Sequence, residues 1–277
     1  MKLISLNIFG GKHFEPLMEF VRKEAPTTDI FCFQEVFRSK SSRIESRGIR
    51  THLYEEFGKV LADFQGFFAA EQDGYDFEGP VDFDISTGQA TFIRKSIRVA
   101  STEEVFVYRA RNTAGNNETI PANMLCTRIT QGAKAFSVIN LHGLAHPPKE
   151  LAQLEKIPHF LGHRDTPDRL AQSEKILAFL KKERGLPTGQ ASAIILCGDF
   201  NLRPETQSFA MLEAGMRNLM REFHVERTRS RHSLHFGKED FDPLVDYVLV
   251  SHDVEAHSLT APDIDISDHL PLVLEFS

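Results

Sequence analysis

The sequence predicts one α/β domain, and three observations carry that expectation. Apolar runs of strand length alternate with segments of helical periodicity through all 277 residues. No Pro/Gly/Ser-rich linker parts two domains, and no repeat or low-complexity tract interrupts the pattern, so residues 1–277 read as a single unit. A chain of this length buries roughly three quarters of its unfolded surface, which suffices for a full core.

Strand-like runs rich in Val, Ile, Phe and Thr fall at Lys2–Leu6, Asp29–Gln34, Gly88–Ile93, Arg98–Tyr108 and Ala122–Ile129. Four more follow at Ala135–Leu141, Ser192–Cys197, Asp246–Val250 and Pro271–Phe276. Helical periodicity marks "FEPLMEFVRKEA", "RTHLYEEFGKVLADF" and "DRLAQSEKILAFLKKERG". The last starts near Asp168, places Leu170, Ile176, Leu177 and Leu180 on one face, and stops at Gly185. A short helix is expected from Glu205 to Glu213. The acidic, aperiodic stretch from Glu71 to Gly88 reads as a long solvated loop, with a lid or rim beside a site as the functional alternative.

Bulk properties narrow the function classes. A formal charge of −7 supplies no global basic field, so duplex DNA is not favoured as a partner and an anionic membrane surface is not expected. No run of about 18 apolar residues is present, and "MKLISLNIFGG" lacks a signal-peptide pattern. Cys32, Cys126 and Cys197 sit inside apolar runs without metal spacing, which fits reduced core thiols in a cytoplasmic protein.

The chemistry-bearing residues collect at strand ends. "LISLN" delivers Asn7, "DIFCFQE" Glu35, "FSVINLH" His142, and "AIILCGDFN" Asp199 and Asn201. "DYVLVS" begins with Asp246, and "DISDHLPLVLEF" leads in with Asp268 and His269. Each alone has a bland account as a turn former, helix-start acid or hydrogen-bonded rim histidine. A Gly-Asp-x-Asn or Ser-Asp-His arises by chance in roughly a few chains per hundred of this length, and the joint pattern is far rarer. A phosphoester needs its charge neutralised before a nucleophile approaches, which a hard cation held by carboxylates achieves. It also needs a base for water and donors for the developing charge. Two or more carboxylates, Asn and two His cover these roles.

The motifs "LNIFGG", "FQEVF", "NLHGL", "GDFNLRP", "DYVLVS" and "SDHLPL" resemble, in order and over nearly the whole chain, those of the endonuclease/exonuclease/phosphatase superfamily. Its fold is the deoxyribonuclease I-like fold. The resemblance implies a four-layer α/β (α+β type) sandwich, with two packed mixed β-sheets flanked by helices and the site at one end. It implies Mg²⁺ as cofactor, with Mn²⁺ as the alternative, held by Glu35, Asn7 and Asp268. It makes Asp199, Asn201, His142, His269 and Asp246 the catalytic set, Asp246 fixing the tautomer of His269. Arg203 matches an Arg of phosphodiesterases that act on DNA–protein adducts. Arg229, in the dense basic run Arg217–His232 with Arg227 and Arg231, is a second candidate for substrate phosphate. Arg164 and Arg169 are either phosphate ligands or partners in salt bridges.

Departures from the family pattern are also expected to matter. Apurinic endonucleases carry Asp where this chain has Phe9, and the chain has no Trp to line an abasic pocket. Deoxyribonuclease I pairs its first histidine with a Glu on a neighbouring strand, yet "STGQATFIR" offers only Thr87 or Gln89, so His142 is expected to be less basic.

The expected function is a divalent-metal-dependent phosphoesterase, foremost a monomeric phosphodiesterase acting on a phosphoester substrate. Nucleic acid stays open as that substrate. A phosphomonoesterase or a lipid or inositol phosphate hydrolase on the same site is the alternative. A non-catalytic binding module is the non-enzyme alternative. Calcineurin-like phosphoesterases are excluded, because the Asp-x-His and Gly-Asn-His motifs are missing.

Overall fold

The computed structural model describes residues 1–40, 48–111, 121–145, 165–185, 193–231 and 242–277. One six-stranded sheet contains β1 (Lys2–Asn7), β2 (Ile30–Arg38), β3 (Phe64–Asp73), β4 (Ser86–Arg94), β11 (Ala256–Thr260) and β12 (Leu272–Phe276), in the order β11-β12-β1-β2-β4-β3. The other contains β5 (Arg98–Tyr108), β6 (Ala122–Gln131), β7 (Lys134–His142), β8 (Ala193–Asp199), β9 (Arg217–Asn218) and β10 (Asp246–Val250), in the order β5-β6-β7-β8-β10-β9. Both sheets are mixed. The parallel pairs are β1 with β2 and β7 with β8.

Among the described residues five α-helices accompany the sheets: α1 (Phe14–Glu24), α2 (Leu53–Val60), α3 (Pro167–Arg184), α4 (Gln207–Glu213) and α5 (Leu219–Glu222). The period-2 alternation of the strands sorts apolar residues to two faces. Leu3, Ile30, Cys32 and Ile93 pack with Met124, Val138 and Cys197 of the second sheet. Ile4, Leu6, Phe31 and Phe33 face the other way, against Leu17 and Val21 of α1 and Phe57 of α2. The rings of Phe33 and Phe57 lie 4.6 Å apart. Burying a phenyl group of this kind contributes about 1.5–3 kcal/mol. The second sheet is covered by α3 and α4 through Ile176, Leu180, Phe209 and Leu212. The result is the expected sandwich of two sheets with helical layers outside.

Local signals explain most boundaries. Thr166 caps α3 by accepting from Arg169 N at 3.2 Å, with Pro167 at the first helical position. Three strands lay outside the sequence reading. β3 occupies Phe64–Asp73, so Glu71 and Gln72 belong to a strand and the connecting loop spans only 74–85. β9 and β11 have two and five residues and little apolar patterning. β2 runs on past Gln34 to Arg38, so Glu35 lies within a strand rather than at its end.

All three cysteines are buried and free. No helix among the described residues is long and apolar enough to cross a membrane.

Candidate active site

The same alternation that builds the core delivers the polar cluster. Asn7 follows Leu3 and Ser5 along β1, His142 follows Val138 and Asn140 along β7, and Asp199 follows Ile195 and Cys197 along β8. Each terminates an inward-facing row, so all three side chains emerge between the sheets at one end. Strand register sets Asp246 opposite Asp199, and Asp199 opposite His142. Gly198 permits the close approach of β7 and β8: its φ is 133°, and a Cβ there would lie 2.0 Å from the Leu141 carbonyl oxygen.

Two bulges aim the remaining acids. Pairing of β2 with β4 runs to Phe33 opposite Ala90 and resumes at Val36 opposite Gly88, so Gln34 and Glu35 share one partner position. Pairing of β3 with β4 jumps from Ala70 opposite Gly88 to Gln72 opposite Thr87, leaving Glu71 as the extra residue. Bulges turn a side chain out of strict alternation. Glu35 adopts φ of 57° and Asn201 φ of 52°, a left-handed conformation that non-glycine residues take at a cost and that clusters at functional sites.

Hydrogen bonds weld the set together. Asn7 Nδ2 donates to Glu35 Oε1 and to Asp199 Oδ2, both at 3.0 Å, while Asn7 Oδ1 accepts from Phe9 N at 3.1 Å. His269 Nδ1 lies 2.8 Å from Asp246 Oδ2, and its Nε2 lies 3.6 Å from Asp199 Oδ2. His142 Nε2 is 3.7 Å from Glu35 Oε1 and its Nδ1 is 3.4 Å from Glu71 Oε2. Asn201 N donates to Asp199 Oδ1 at 2.9 Å. Arg229 Nη1 donates to Asp268 Oδ2 at 3.1 Å. Thr228 Oγ1 accepts from Asp246 N at 3.2 Å, and Ser267 Oγ donates to Asn7 O at 2.7 Å.

Five of these groups titrate away from their ordinary values, each for a physical reason. Burial pushes the Glu35 carboxyl above its ordinary range, and the Asp268 charge adds to that, against the pull of His142 and Asn7. Burial also raises Asp246, against the pull of His269. For Asp199 burial is outweighed by His269, His142 and Arg229 together, and the carboxyl is lowered. Burial opposes the charged form of His142, but Glu71, Glu35 and Asp199 bring it up to about 10. His269 reaches about 9, burial and Arg229 being overcome by Asp246, Asp268 and Asp199.

Of the residues singled out by sequence, Asn7, Glu35, His142, Asp199, Asn201, Asp246, Asp268, His269 and Arg229 converge here. Arg203 pairs with Asp242 and lies 3.9 Å from Glu205. Arg227 and Arg231 pair with Asp263 at 2.8 and 3.5 Å, strapping two loops together. Arg164 lies outside the described residues. The expectation that His142 lacks an acid partner is corrected. Glu71 is that partner, hidden from a strand reading by the bulge that displaces it.

The donor set suits a hard divalent cation. Five buried or half-buried carboxylates, of Glu35, Glu71, Asp199, Asp246 and Asp268, face two imidazoles and one guanidinium. The raised Glu35 is what a second positive charge would relieve. Asp199, Asp246 and His269 also place candidate ligand atoms within 4.8 Å of one another. There His269 Nδ1 already engages Asp246, whereas Glu35 and Asp268 offer carboxylate oxygens, the donors a hard cation takes.

Comparisons with known proteins agree with this geometry. The model of the Endonuclease/Exonuclease/phosphatase family matches residues 4–269. A mannosyl-6-phosphatase from Bacteroides thetaiotaomicron superposes with TM-score 0.69 at 14% identity, covering 100% of this chain and 99% of that one. The human nocturnin catalytic domain with bound sulfate gives 0.62 at 18% identity, covering 100% and 93%. A humanized Danio rerio TDP2 gives 0.58 at 15% identity, covering 100% and 98%. At these identities the likeness is one of fold. No curated protein matches the chain by sequence.

Proposed function

The chain belongs to the endonuclease/exonuclease/phosphatase family, a family of phosphoester hydrolases, and from that membership we propose that it is a divalent-metal-dependent phosphodiesterase. The observation that carries the reading is the bridge made by Asn7, which joins Glu35 of one sheet to Asp199 of the other between two charged imidazoles.

In this reading Glu35, Asn7 and Asp268 hold Mg²⁺, or Mn²⁺ in its place. Bound there, the cation would supply charge neutralisation to a phosphoryl group. Asp199, kept ionised at neutral pH by its cationic neighbours, accepts a proton from the attacking water or orients it. Asn201 fixes that carboxylate through its backbone N–H. His269 donates to a phosphoryl oxygen, its tautomer set by Asp246 on Nδ1. His142, backed by Glu71, offers a second cationic donor. Arg229 places a guanidinium beside Asp268, within reach of the same oxygens.

The Bacteroides phosphatase named above gives the monoester reading a footing. Hydrolysis of bis(p-nitrophenyl) phosphate and of p-nitrophenyl phosphate, each with Mg²⁺ and with EDTA, tests both. The proposal expects Mg²⁺-dependent release of nitrophenolate from the diester. Hydrolysis of the monoester alone moves the assignment to a phosphatase, and hydrolysis of neither with Mg²⁺ or Mn²⁺ contradicts an enzymatic role.

A further inference from the structure

The bulkiest side chain that the described fold buries completely is not apolar: it is Arg169, on the first turn of α3 and 1% exposed. Its Nε and Nη2 donate to the Leu144 carbonyl at 3.4 and 3.1 Å, and Nη2 also reaches the Ala145 carbonyl at 3.1 Å. One turn further on, Gln172 Oε1 accepts from Leu144 N at 2.8 Å. The first two turns of α3 therefore grip both faces of the peptide chain that leaves His142.

That chain is the floor of the site. Gly143 N donates to the Asp199 carbonyl at 2.8 Å, and the Gly143 carbonyl accepts from Asn201 Nδ2 at 3.1 Å. There is no slack, because a Cβ on Gly143 would lie 2.2 Å from the Phe200 carbonyl oxygen. Burying a guanidinium is expensive, and an apolar side chain of like volume fills such a space with less penalty. Stability alone is thus a poor account of Arg169. Burial lowers its pKa to about 10, against the support that Asp165, Asp242 and Asp199 give the charge.

We infer that Arg169 is a positioning residue of this site: by clamping the Leu144 and Ala145 carbonyls it holds the Gly143 peptide on which Asp199 and Asn201 are aligned and from which His142 projects. The inference rests on the reading of Asp199, Asn201 and His142 as the chemical half of the site. The guanidinium fork suits two carbonyls at once, and a lysine ammonium reproduces only one of those bonds.

The test compares Arg169→Met, Arg169→Lys and a control, Arg128→Met, in the full chain. Arg128 is also engaged in a partly buried ion-pair network, with Glu183 and Glu103, but lies on β6 opposite Ser137, at the end away from His142. With bis(p-nitrophenyl) phosphate, Arg169→Met is expected to lower kcat about 10- to 100-fold, the scale of a misplaced reacting group. The Mg²⁺ midpoint should stay put, because Glu35 and Asn7 hang from the other sheet. Arg169→Lys should recover part of kcat, and Arg128→Met should lose thermal stability without losing kcat below its Tm. If folded Arg169→Met keeps kcat within twofold, or Arg128→Met loses as much, the inference is overturned. If the wild-type chain hydrolyses no phosphoester, the functional reading fails and amide exchange decides the clamp. Gly143 N–H should then lose protection in Arg169→Met and keep it in Arg128→Met; unchanged protection in Arg169→Met contradicts the clamp.

Discussion

Asn7 Nδ2 donates a 3.0 Å hydrogen bond to Asp199 Oδ2, tying the last residue of β1 in one sheet to the last residue of β8 in the other. The same amide reaches Glu35 Oε1. Asn7→Ala leaves two buried carboxylate oxygens without this donor. A hydrogen bond to a charged group is worth about 1.5–3 kcal/mol, so the metal-free protein should lose stability on that scale. Asn7→Asp places a further carboxylate among the acids and should be less stable still in EDTA, yet recover most of the loss with Mg²⁺. Urea unfolding with EDTA and with Mg²⁺ checks both. An Asn7→Asp protein as stable as wild type without metal would contradict the bridge.

The His142–Glu71 pair sets a pH dependence. The folded pKa of about 10 lies above the ordinary imidazole value of about 6.5. The native state therefore binds this proton more tightly than the unfolded chain does. The stabilisation is complete below about pH 6.5 and is lost as pH rises through about 10. In EDTA, Glu71→Gln should lower the His142 midpoint and flatten stability between neutral pH and pH 10. Imidazole resonances followed by NMR report the midpoint. An unchanged midpoint in Glu71→Gln would show that the pair does not govern His142.

Abasic duplex DNA should be a poor substrate. Phe9 stands where apurinic endonucleases carry Asp, and it offers the site only its backbone N–H, to Asn7. Its ring stacks on Phe77 at 6.0 Å. The chain holds no Trp and carries −7. Incision of an abasic duplex at sub-stoichiometric enzyme would overturn this expectation.

Most of the site was legible because strand periodicity and chemistry coincide in it. Asn7, His142 and Asp199 close apolar alternating runs, and a polar residue there has few purely structural uses. Glu71 was not legible for the opposite reason. β3 carries Gly66, Ala69 and Ala70, residues depleted in strands, and the bulge at Glu71 breaks the period that would have revealed its face. The Glu35 bulge hid less, because the motif around it is distinctive in residues rather than in pattern. Proximity in sequence to "GDFN" did not reveal the acid that Arg203 pairs with, because Asp242 lies far along the chain. The burial of Arg169 is a matter of tertiary packing, which periodicity within one helix does not encode.

The central claim is that Glu35 holds the metal and Asp199 does the chemistry. Metal titration with single-turnover hydrolysis of bis(p-nitrophenyl) phosphate, run on Glu35→Gln and Asp199→Asn, tests it directly. Glu35→Gln should weaken Mg²⁺ binding, because the amide keeps an oxygen but loses the charge, and activity should return in part at high Mg²⁺. Asp199→Asn should bind Mg²⁺ nearly as wild type and lose roughly 10²–10⁴-fold in rate without rescue by metal. An Asp199→Asn protein that turns over normally, having lost only about 1 kcal/mol of stability as a turn former would, contradicts the account.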